Sequence, residues 1–157
     1  MSELKRIGEL LITKGLIRPW QLNLALEEQR ASHEFLGAIL VKKGWLKEEA
    51  LLQALAEQFG LRYVHLLHED VDWKVARHFS SSLMKDHHCV PVRMNRDTLT
   101  VAMCNPLDAW AMSELQREAG FRKVEVVLAA TQEIDGAIQW CHQEAMKSVD
   151  ASLKDHP

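Results

Sequence analysis

Two stretches near the N-terminus are copies of one another: residues 6–29 read RIGELLITKGLIRPWQLNLALEEQ, and residues 35–58 read FLGAILVKKGWLKEEALLQALAEQ. A tandem repeat indicates that one supersecondary unit is used twice. Two copies are too few for a solenoid, but they suit a site with two similar halves, and therefore a ligand with two similar halves. The residues that are identical at an offset of 29 positions are Gly8/Gly37, Leu11/Leu40, Lys14/Lys43, Gly15/Gly44, Leu22/Leu51, Ala25/Ala54, Leu26/Leu55, Glu28/Glu57 and Gln29/Gln58.

The spacing of apolar residues predicts two helices in each copy. Gly15 and Gly44 suit the position just after a helix, where the chain turns left-handed. Pro19 suits the first turn of the second helix. The apolar stripes of the longer helices recur at helical intervals. Residues 5–60 are therefore predicted to form four helices, in the order short, long, short, long.

The pattern changes after Leu61. Three β-rich runs predict strands at residues 89–94, 98–103 and 124–128, and Asn95-Arg96-Asp97 predicts a hairpin between the first two. Asn105-Pro106 is expected to open a helix that Gly120 ends. The predicted fold class is therefore α+β: a four-helix tandem-repeat subdomain is followed by a small α+β subdomain with a three-stranded sheet. The predicted ranges are 1–60, 61–146 and a polar, frayed C-terminal tail at 147–157.

The composition narrows the class of protein. The chain has 157 residues and a net charge of −3, which argues against DNA or RNA as a partner because non-specific nucleic-acid binding needs a basic surface. No apolar run approaches the length of a membrane span, so direct membrane insertion is not predicted. Three scattered cysteines are most simply interpreted as belonging to a reducing cytoplasmic environment.

Catalytic and metal-binding patterns are weak. The sequence has no G-x-x-x-x-G-K-[ST] phosphate loop, and no Ser/His/Asp or paired-carboxylate arrangement stands out. Asp86-His87-His88-Cys89 looks like a metal cluster, but adjacent histidines usually point in different directions and no second ligand pair has zinc spacing. We therefore predict no enzyme activity and no metal. A metal-dependent enzyme is kept as a third hypothesis, after the sensor and docking functions described below. Cys89 is predicted to be a small buried hydrophobe, and Trp20 an exposed candidate for partner contact.

Two features of the repeat favour ligand binding over a purely structural role. Arg6-Ile7-Gly8 places a cation and a glycine at a predicted helix start, where unpaired N–H groups attract anions. Gln29 and Gln58 end the two leucine stripes, and an amide beside leucines suits a flat heterocycle. A ligand with two purines and two phosphates would fit the duplicated arrangement.

Residues 6–58 resemble the tandem motif of the MshEN domain, found at the N-terminus of type II secretion and type IV pilus ATPases. The family pattern is R-L-G, two apolar residues, Gly, two apolar residues, then Leu, Leu and Gln, written twice with a five-residue spacer. The stretch VAMCNPLD also resembles a segment of the family's second subdomain, so the resemblance covers about Lys5 to His142. The matching residues are Arg6, Gly8, Leu11, Ile12, Gly15, Leu16, Ile17, Leu22, Leu26 and Gln29, then Gly37, Leu40, Val41, Gly44, Leu46, Leu51, Leu55 and Gln58.

The resemblance implies a domain that binds cyclic di-GMP, without a metal, in an extended form across both motifs. Phe35 departs from the pattern because it replaces the usual basic residue, although a phenyl ring can stack on a base. Asn105 stands where the family often has Asp before Pro. The ligand-binding residues expected on this basis are Arg6, Ile7, Gly8, Leu22, Leu26, Gln29, Phe35, Leu36, Gly37, Leu51, Leu55, Gln58 and Asn105.

The function expected from the resemblance is that of a non-catalytic sensor module in a larger bacterial protein. The parent would be a secretion or pilus ATPase, or an inner-membrane glycosyltransferase that carries the module at its C-terminus, and the polar end DASLKDHP favours the glycosyltransferase. The expected partners are the parent enzyme domain or a membrane protein, and the expected location is the cytoplasmic face of the inner membrane. The alternative is a protein-docking module that binds no nucleotide, which Phe35 favours because it interrupts the motif.

Overall fold

The computed structural model describes the backbone of residues 3–154 and the side chains of residues 7–154. The chain divides into two compact units, Met1–Leu61 and Arg62–Pro157, here called the first and second units. The side chain of Arg6, one of the predicted ligand contacts, lies outside the described residues.

The first unit is helical and contains the predicted series of four helices. The second helix of each copy begins at equivalent positions, Pro19 and Glu48, which are 29 residues apart. The helices are α1 (Glu3–Thr13), α2 (Pro19–Ser32), α3 (Leu36–Lys42) and α4 (Glu48–Phe59).

The glycine stops of α1 and α3 are alike in detail. Gly15 and Gly44 have φ angles of +73° and +75°, in the left-handed region where glycine has no steric penalty. The N–H of Leu16 donates to the carbonyl of Leu11, and the N–H of Trp45 donates to that of Leu40. This bond pattern satisfies carbonyls that a helix end leaves unpaired. The predicted role of both glycines is confirmed.

The second unit contains a mixed sheet, which confirms the α+β fold class but not the predicted strand number. The sheet has four strands rather than three, because residues 62–63 add a short strand beside the last one. The order is β1-β4-β3-β2, with β1 and β3 parallel to β4 and β2 antiparallel to β3. A two-residue strand gives no period-2 pattern in the sequence. The strands are β1 (Arg62–Tyr63), β2 (Cys89–Met94), β3 (Thr98–Met103) and β4 (Lys123–Leu128).

The β2–β3 hairpin forms as predicted from its loop. The side-chain Oδ1 of Asn95 accepts hydrogen bonds from the backbone N–H groups of Asp97 and Thr98, at 3.0 and 2.8 Å. An asparagine that binds the backbone two and three residues ahead mimics a backbone turn and so stabilises the reversal of the chain.

Two helix boundaries of the second unit correct the prediction. The helix expected from Asn105 begins four residues later, at Ala109, because the Asp108 carboxylate accepts the N–H of Ala111 and caps it. The last helix extends through residues 147–154, where a frayed tail was expected, since a polar segment without Gly or Pro can remain helical. The helices of the second unit are α5 (Trp73–Ala76), α6 (Ser81–His87), α7 (Ala109–Glu118) and α8 (Thr131–Lys154), with a 3-10 turn at His68–Asp70.

The sheet is covered on both faces. Alternate residues of β3 belong to two separate apolar clusters: Leu99, Val101 and Met103 pack with residues of α7, while Ala102 packs with residues of α8. Cys89 and Cys141 are each buried in one of these clusters, which confirms the prediction for Cys89. Burial raises the pKa of the Cys89 thiol to about 12, with Asp108 adding to it, and raises the pKa of Cys141 to about 11. Both thiols are therefore protonated at neutral pH and are poor nucleophiles.

Candidate functional site

The two copies of the repeat exchange partners within the first unit. Helix α1 packs against α4, and α2 packs against α3. Lys14 at the end of α1 pairs with Glu57 of α4, with 2.6 Å between Nζ and Oε2. Lys43 at the end of α3 pairs in the same way with Glu28 of α2, at 3.0 Å. Because each lysine pairs with the glutamate of the other copy, the contacts have the reciprocal pattern of a twofold axis.

These reciprocal ion pairs explain two of the nine identities between the copies. Lys14/Lys43 and Glu28/Glu57 are equivalent positions, and sequence reasoning recorded them as identical without assigning them a role. Each pair is largely exposed to solvent, so each contributes about 0–1 kcal/mol to stability. Their reciprocal arrangement shows that the two copies are packed in equivalent positions.

The repeated glycines allow a close approach between the two helices of each copy. A Cβ atom added to Gly8 would lie 2.8 Å from a methyl carbon of Leu22, and one added to Gly37 would lie 2.6 Å from a methyl carbon of Leu51. Glycine inside a helix is otherwise unfavourable by about 0.5–1 kcal/mol. The space beside each glycine is filled by leucine, so these glycines shape the packing beneath a surface and are themselves buried.

Burial divides the predicted ligand contacts of the first unit into two groups. The buried residues support the surface from below and do not reach solvent: Ile7, Gly8, Leu36, Gly37, Leu51 and Leu55. The half-buried residues present part of their side chains to solvent: Leu22, Leu26, Gln29, Phe35 and Gln58. A ligand that binds without rearrangement would therefore touch the second group. This division could not be predicted from a helical stripe alone, because a stripe shows which face of a helix points inward but not how deeply each residue is buried.

The two motif glutamines occupy equivalent positions but differ in their contacts. Gln29 Nε2 donates to the backbone carbonyl of Glu34 at 3.0 Å, so its amide group joins the end of α2 to the start of α3. Its Oε1 remains available as an acceptor on the same surface. Gln58, near the end of α4, has its Oε1 atom buried. The two halves of the candidate site are therefore similar rather than identical.

The start of the second motif is built around Phe35. Phe35 is the residue before α3, and its Cε1 atom would lie 3.0 Å from a Cβ on Gly37. The half-buried ring therefore lies against the glycine and beside Leu51. Asn105 belongs to the second unit, where its Oδ1 accepts the N–H of Leu107 at 2.9 Å.

An aromatic pair breaks the symmetry of the first unit. Trp20 of α2 meets Trp45 edge-to-face, with ring centroids 5.4 Å apart, and the Lys43 ammonium lies 5.3 Å from the Trp45 ring. The position equivalent to Trp20 in the second copy is Glu49, and the position equivalent to Trp45 in the first copy is Leu16. The aromatic pair is therefore not repeated. Trp20 is 51% exposed, which confirms the exposure predicted for it.

The histidine cluster divides between two helices. His87 Nδ1 lies 2.6 Å from Asp108 Oδ2, and His88 Nδ1 lies 2.8 Å from Asp135 Oδ1. The adjacent rings thus point to different carboxylates. Within residues 7–154 no three His, Cys, Asp or Glu side chains converge as a metal site would require. In the same part of the chain, no helix combines the length and the apolar character that crossing a bilayer demands.

Comparison with known proteins assigns the family. The MshEN domain family matches residues 59–148, which is more than half of the chain and lies almost wholly in the second unit. The type IV pilus assembly ATPase PilB of Myxococcus xanthus is 32% identical over 150 residues, and the alignment covers 96% of this chain and 26% of PilB. Bacteriophage N4 adsorption protein B of Escherichia coli O157:H7 is 26% identical over 137 residues, with 87% of this chain and 18% of that protein covered.

A solved structure extends the similarity to both units. The structure of MshE with cyclic di-GMP superposes with a TM-score of 0.73 at 27% identity, covering 85% of this chain and 96% of the solved one. The chain spans about a quarter or less of PilB and of the adsorption protein. The resemblance that the tandem motif predicted is confirmed, and the chain belongs to the MshEN domain family.

Proposed function

We propose that the first unit binds one molecule of cyclic di-GMP, with one guanine nucleotide half against each copy of the repeat. On this proposal the chain is a regulatory module of a larger, envelope-associated bacterial protein. Catalysis belongs to other parts of that protein. The observation that carries the proposal is the reciprocal pairing of the two copies.

The symmetry of the fold matches the symmetry of the ligand. Cyclic di-GMP consists of two identical guanosine monophosphate halves in one ring, so a site for it benefits from two similar surfaces at a fixed spacing. The pairs Lys14–Glu57 and Lys43–Glu28 are related to each other by exchange of the two copies. The glycine–leucine contacts give both copies the same close packing. The relative MshE, solved with cyclic di-GMP, has the same fold.

The half-buried residues supply the proposed contacts. Leu22 and Leu26 offer apolar area to the flat face of a base, and Gln29 and Gln58 offer amide groups to its polar edge. Phe35 adds a ring on which a base can stack, worth about 1–3 kcal/mol per base in other nucleotide-binding proteins. We further propose that Arg6 pairs with a phosphate or guanine edge of the first half, and that Asn105 completes the set.

The parent protein is proposed from the two kinds of relative. PilB is an ATPase of pilus assembly, and its identity to this chain exceeds that of the phage adsorption protein. The higher identity to PilB favours a pilus or secretion ATPase as the parent, rather than the inner-membrane glycosyltransferase that the sequence analysis favoured. Either parent would hold the module at the cytoplasmic face of the inner membrane.

A second candidate function is docking to a protein partner. Trp20 and Trp45 are in edge-to-face contact in the first unit, and Leu24 lies one helical turn after Trp20 in α2; Trp20 and Leu24 are 51% and 47% exposed. Exposed tryptophans are enriched among the residues that dominate protein interfaces.

Calorimetric titration of the chain with cyclic di-GMP tests the proposal. We expect saturable binding of one dinucleotide per chain. Guanosine 5′-monophosphate should bind at least a hundredfold more weakly, because joining two halves makes the second contact intramolecular. Equal affinity for the monophosphate would contradict a site that uses both copies, and absence of binding to both nucleotides would leave docking as the function.

A further inference from the structure

A recess in the second unit gathers polar side chains that the proposed function does not use. It opens on one face of the sheet, has a volume of about 250 Å³, and is bounded by all four strands and by the segment that follows β1. We call it the sheet-face recess. Its polar lining residues are Arg62, His65, Asp70, Arg93 and Thr100.

The strand register explains why these residues meet. Arg93 of β2 is opposite Thr100 of β3, and Arg62 of β1 is opposite Val127 of β4. Ala102 lies two residues beyond Thr100 on the same face, where α8 covers it. The recess is therefore the part of this sheet face that lies beyond the apolar cluster.

Two arginines face the recess without a protein partner. The side chains of Arg62 and Arg93 form no ion pair or hydrogen bond with any residue that the structure describes, whereas arginines elsewhere in the unit, such as Arg122, bind backbone carbonyls. Two guanidinium groups at one recess repel each other, so an arrangement of this kind is favourable when an anion joins them.

The hydroxyl of Thr100 is a further hydrogen-bond donor at the recess. Thr100 is 6% exposed and is the one polar residue found deeply buried among the described side chains. Its side-chain hydroxyl forms no hydrogen bond with a described residue, and Thr100 lines the recess. The hydroxyl can therefore donate a hydrogen bond to an anion held in the recess.

The acidic groups near the recess leave a positive balance. Asp70 is the carboxylate among the lining residues, and its Oδ2 accepts the N–H of Leu67 at 3.1 Å. Glu133 of α8 approaches His65, with 3.8 Å between Oε2 and Nδ1. Two guanidinium groups thus face one carboxylate that is already engaged with the backbone.

We propose that the sheet-face recess is an anion site for a single phosphate group. A phosphate has enough oxygens to accept both arginine forks and the threonine hydroxyl at once, whereas a carboxylate has only two oxygens to share among the three donors. The volume lies below the range of about 300–1,000 Å³ that is typical for drug-sized ligands, so a free phosphate or the end of a phosphate monoester fits better than a whole nucleotide. The site belongs to the second unit and does not depend on cyclic di-GMP binding.

Titration of the full 157-residue chain with inorganic phosphate, at constant ionic strength held by chloride, tests the site. Binding is followed by the amide resonances of Arg93 and Thr100 and by the side-chain Nε–H resonances of the arginines. We expect saturable shifts with a millimolar or tighter dissociation constant. Arg62→Gln and Arg93→Gln should each weaken binding about tenfold, because each removes a charge-assisted hydrogen bond.

Two further variants separate a ligand site from a structural role. Arg96→Gln removes an equal charge from the neighbouring hairpin loop, outside the recess, and should leave phosphate affinity unchanged. Thr100→Val should weaken phosphate binding severalfold while the melting temperature stays level or rises, since the hydroxyl has no protein partner to lose. Equal phosphate affinity in Arg93→Gln and Arg96→Gln would overturn the proposal, as would a lowered melting temperature in Thr100→Val with phosphate affinity unchanged.

The source of the phosphate is distinguished by two further probes. Glycerol 3-phosphate tests a soluble monoester, and vesicles that contain phosphatidic acid test a lipid headgroup. Binding of either probe that is lost in Arg62→Gln and kept in Arg96→Gln supports the site and identifies its source. Failure of inorganic phosphate and of both probes to bind would contradict it.

Discussion

Replacing Gly37 by valine is expected to destabilise the chain by about 2–3 kcal/mol, because the added atoms would overpack the contact between α3 and α4. A single Cβ there would already lie 2.6 and 2.8 Å from the methyl carbons of Leu51 and 3.0 Å from Cε1 of Phe35. Leu51 is buried, so its side chain has little space into which it can move. Urea unfolding, followed by circular dichroism, measures the change.

Gly136 provides a matched control for this substitution. It also lies inside a helix, α8, but a Cβ there would meet only His68 Nε2, at an ordinary 3.6 Å. Gly136→Ala should therefore raise the free energy of unfolding by about 0.5–1 kcal/mol, the usual gain of helix propensity. In the double variant Gly37→Val with Leu51→Ala, the loss of stability should be smaller than the sum of the losses in the two single variants, because the smaller side chain at position 51 makes room for the valine. A double variant less stable than the sum of its two single variants would show that the glycine–leucine contact is misassigned.

Replacing the motif glutamines by leucine is expected to weaken cyclic di-GMP binding by about tenfold for each residue. Each change removes hydrogen bonds of about 0.5–1.5 kcal/mol to the ligand and keeps the apolar stripe. Gln29→Leu should also lower the free energy of unfolding by up to about 1.5 kcal/mol, since the bond from Nε2 to the Glu34 carbonyl is lost. Isothermal calorimetry and thermal unfolding separate the two effects.

Gln53→Leu is the control for the glutamine variants, because Gln53 lies on the exposed side of α4 and is not part of the motif. It should leave nucleotide affinity unchanged. The two motif variants also test each other, since a ligand that contacts both copies predicts a measurable loss in each variant. A large loss in one and none in the other would mean that the ligand uses only one copy of the repeat.

The repeat carried most of the predictable information. Gly15 and Gly44 marked helix ends because a left-handed turn needs glycine, and this requirement is local. The helical spacing of the leucines predicted the four helices, and this signal is also local. Strand β1 could not be predicted because two residues have no periodicity, and its pairing with β4 comes from the fold rather than from local sequence.

Depth and partner choice could not be predicted in the same way. Ile7, Leu36 and Leu55 are fully buried, although they belong to the same motif as the half-buried Leu22 and Leu26. The exchange of partners between the copies depends on how α1 and α3 pack on helices of the other copy, which an internal repeat does not specify. The identities Lys14/Lys43 and Glu28/Glu57 were the available signal, since a lysine and a glutamate retained together in both copies are compatible with reciprocal pairing.

The sheet-face recess could not be predicted from the sequence either, because its residues are brought together only by the fold. Arg62, Arg93 and Thr100 lie in three different strands and form no motif. Only the register of a mixed sheet brings them to one face. Sites assembled across strands in this way carry little local signature, in contrast to a tandem motif on consecutive helices.

Amide-resonance mapping of the chain during titration with cyclic di-GMP tests the central claim most directly. The account predicts that a single equivalent of ligand shifts the resonances around Leu22 and Gln29 in the first copy and around Phe35 and Gln58 in the second, with the same saturation point. Equal saturation would show that one dinucleotide contacts both copies. Shifts confined to one copy, or no shifts in the first unit at millimolar ligand, would contradict it.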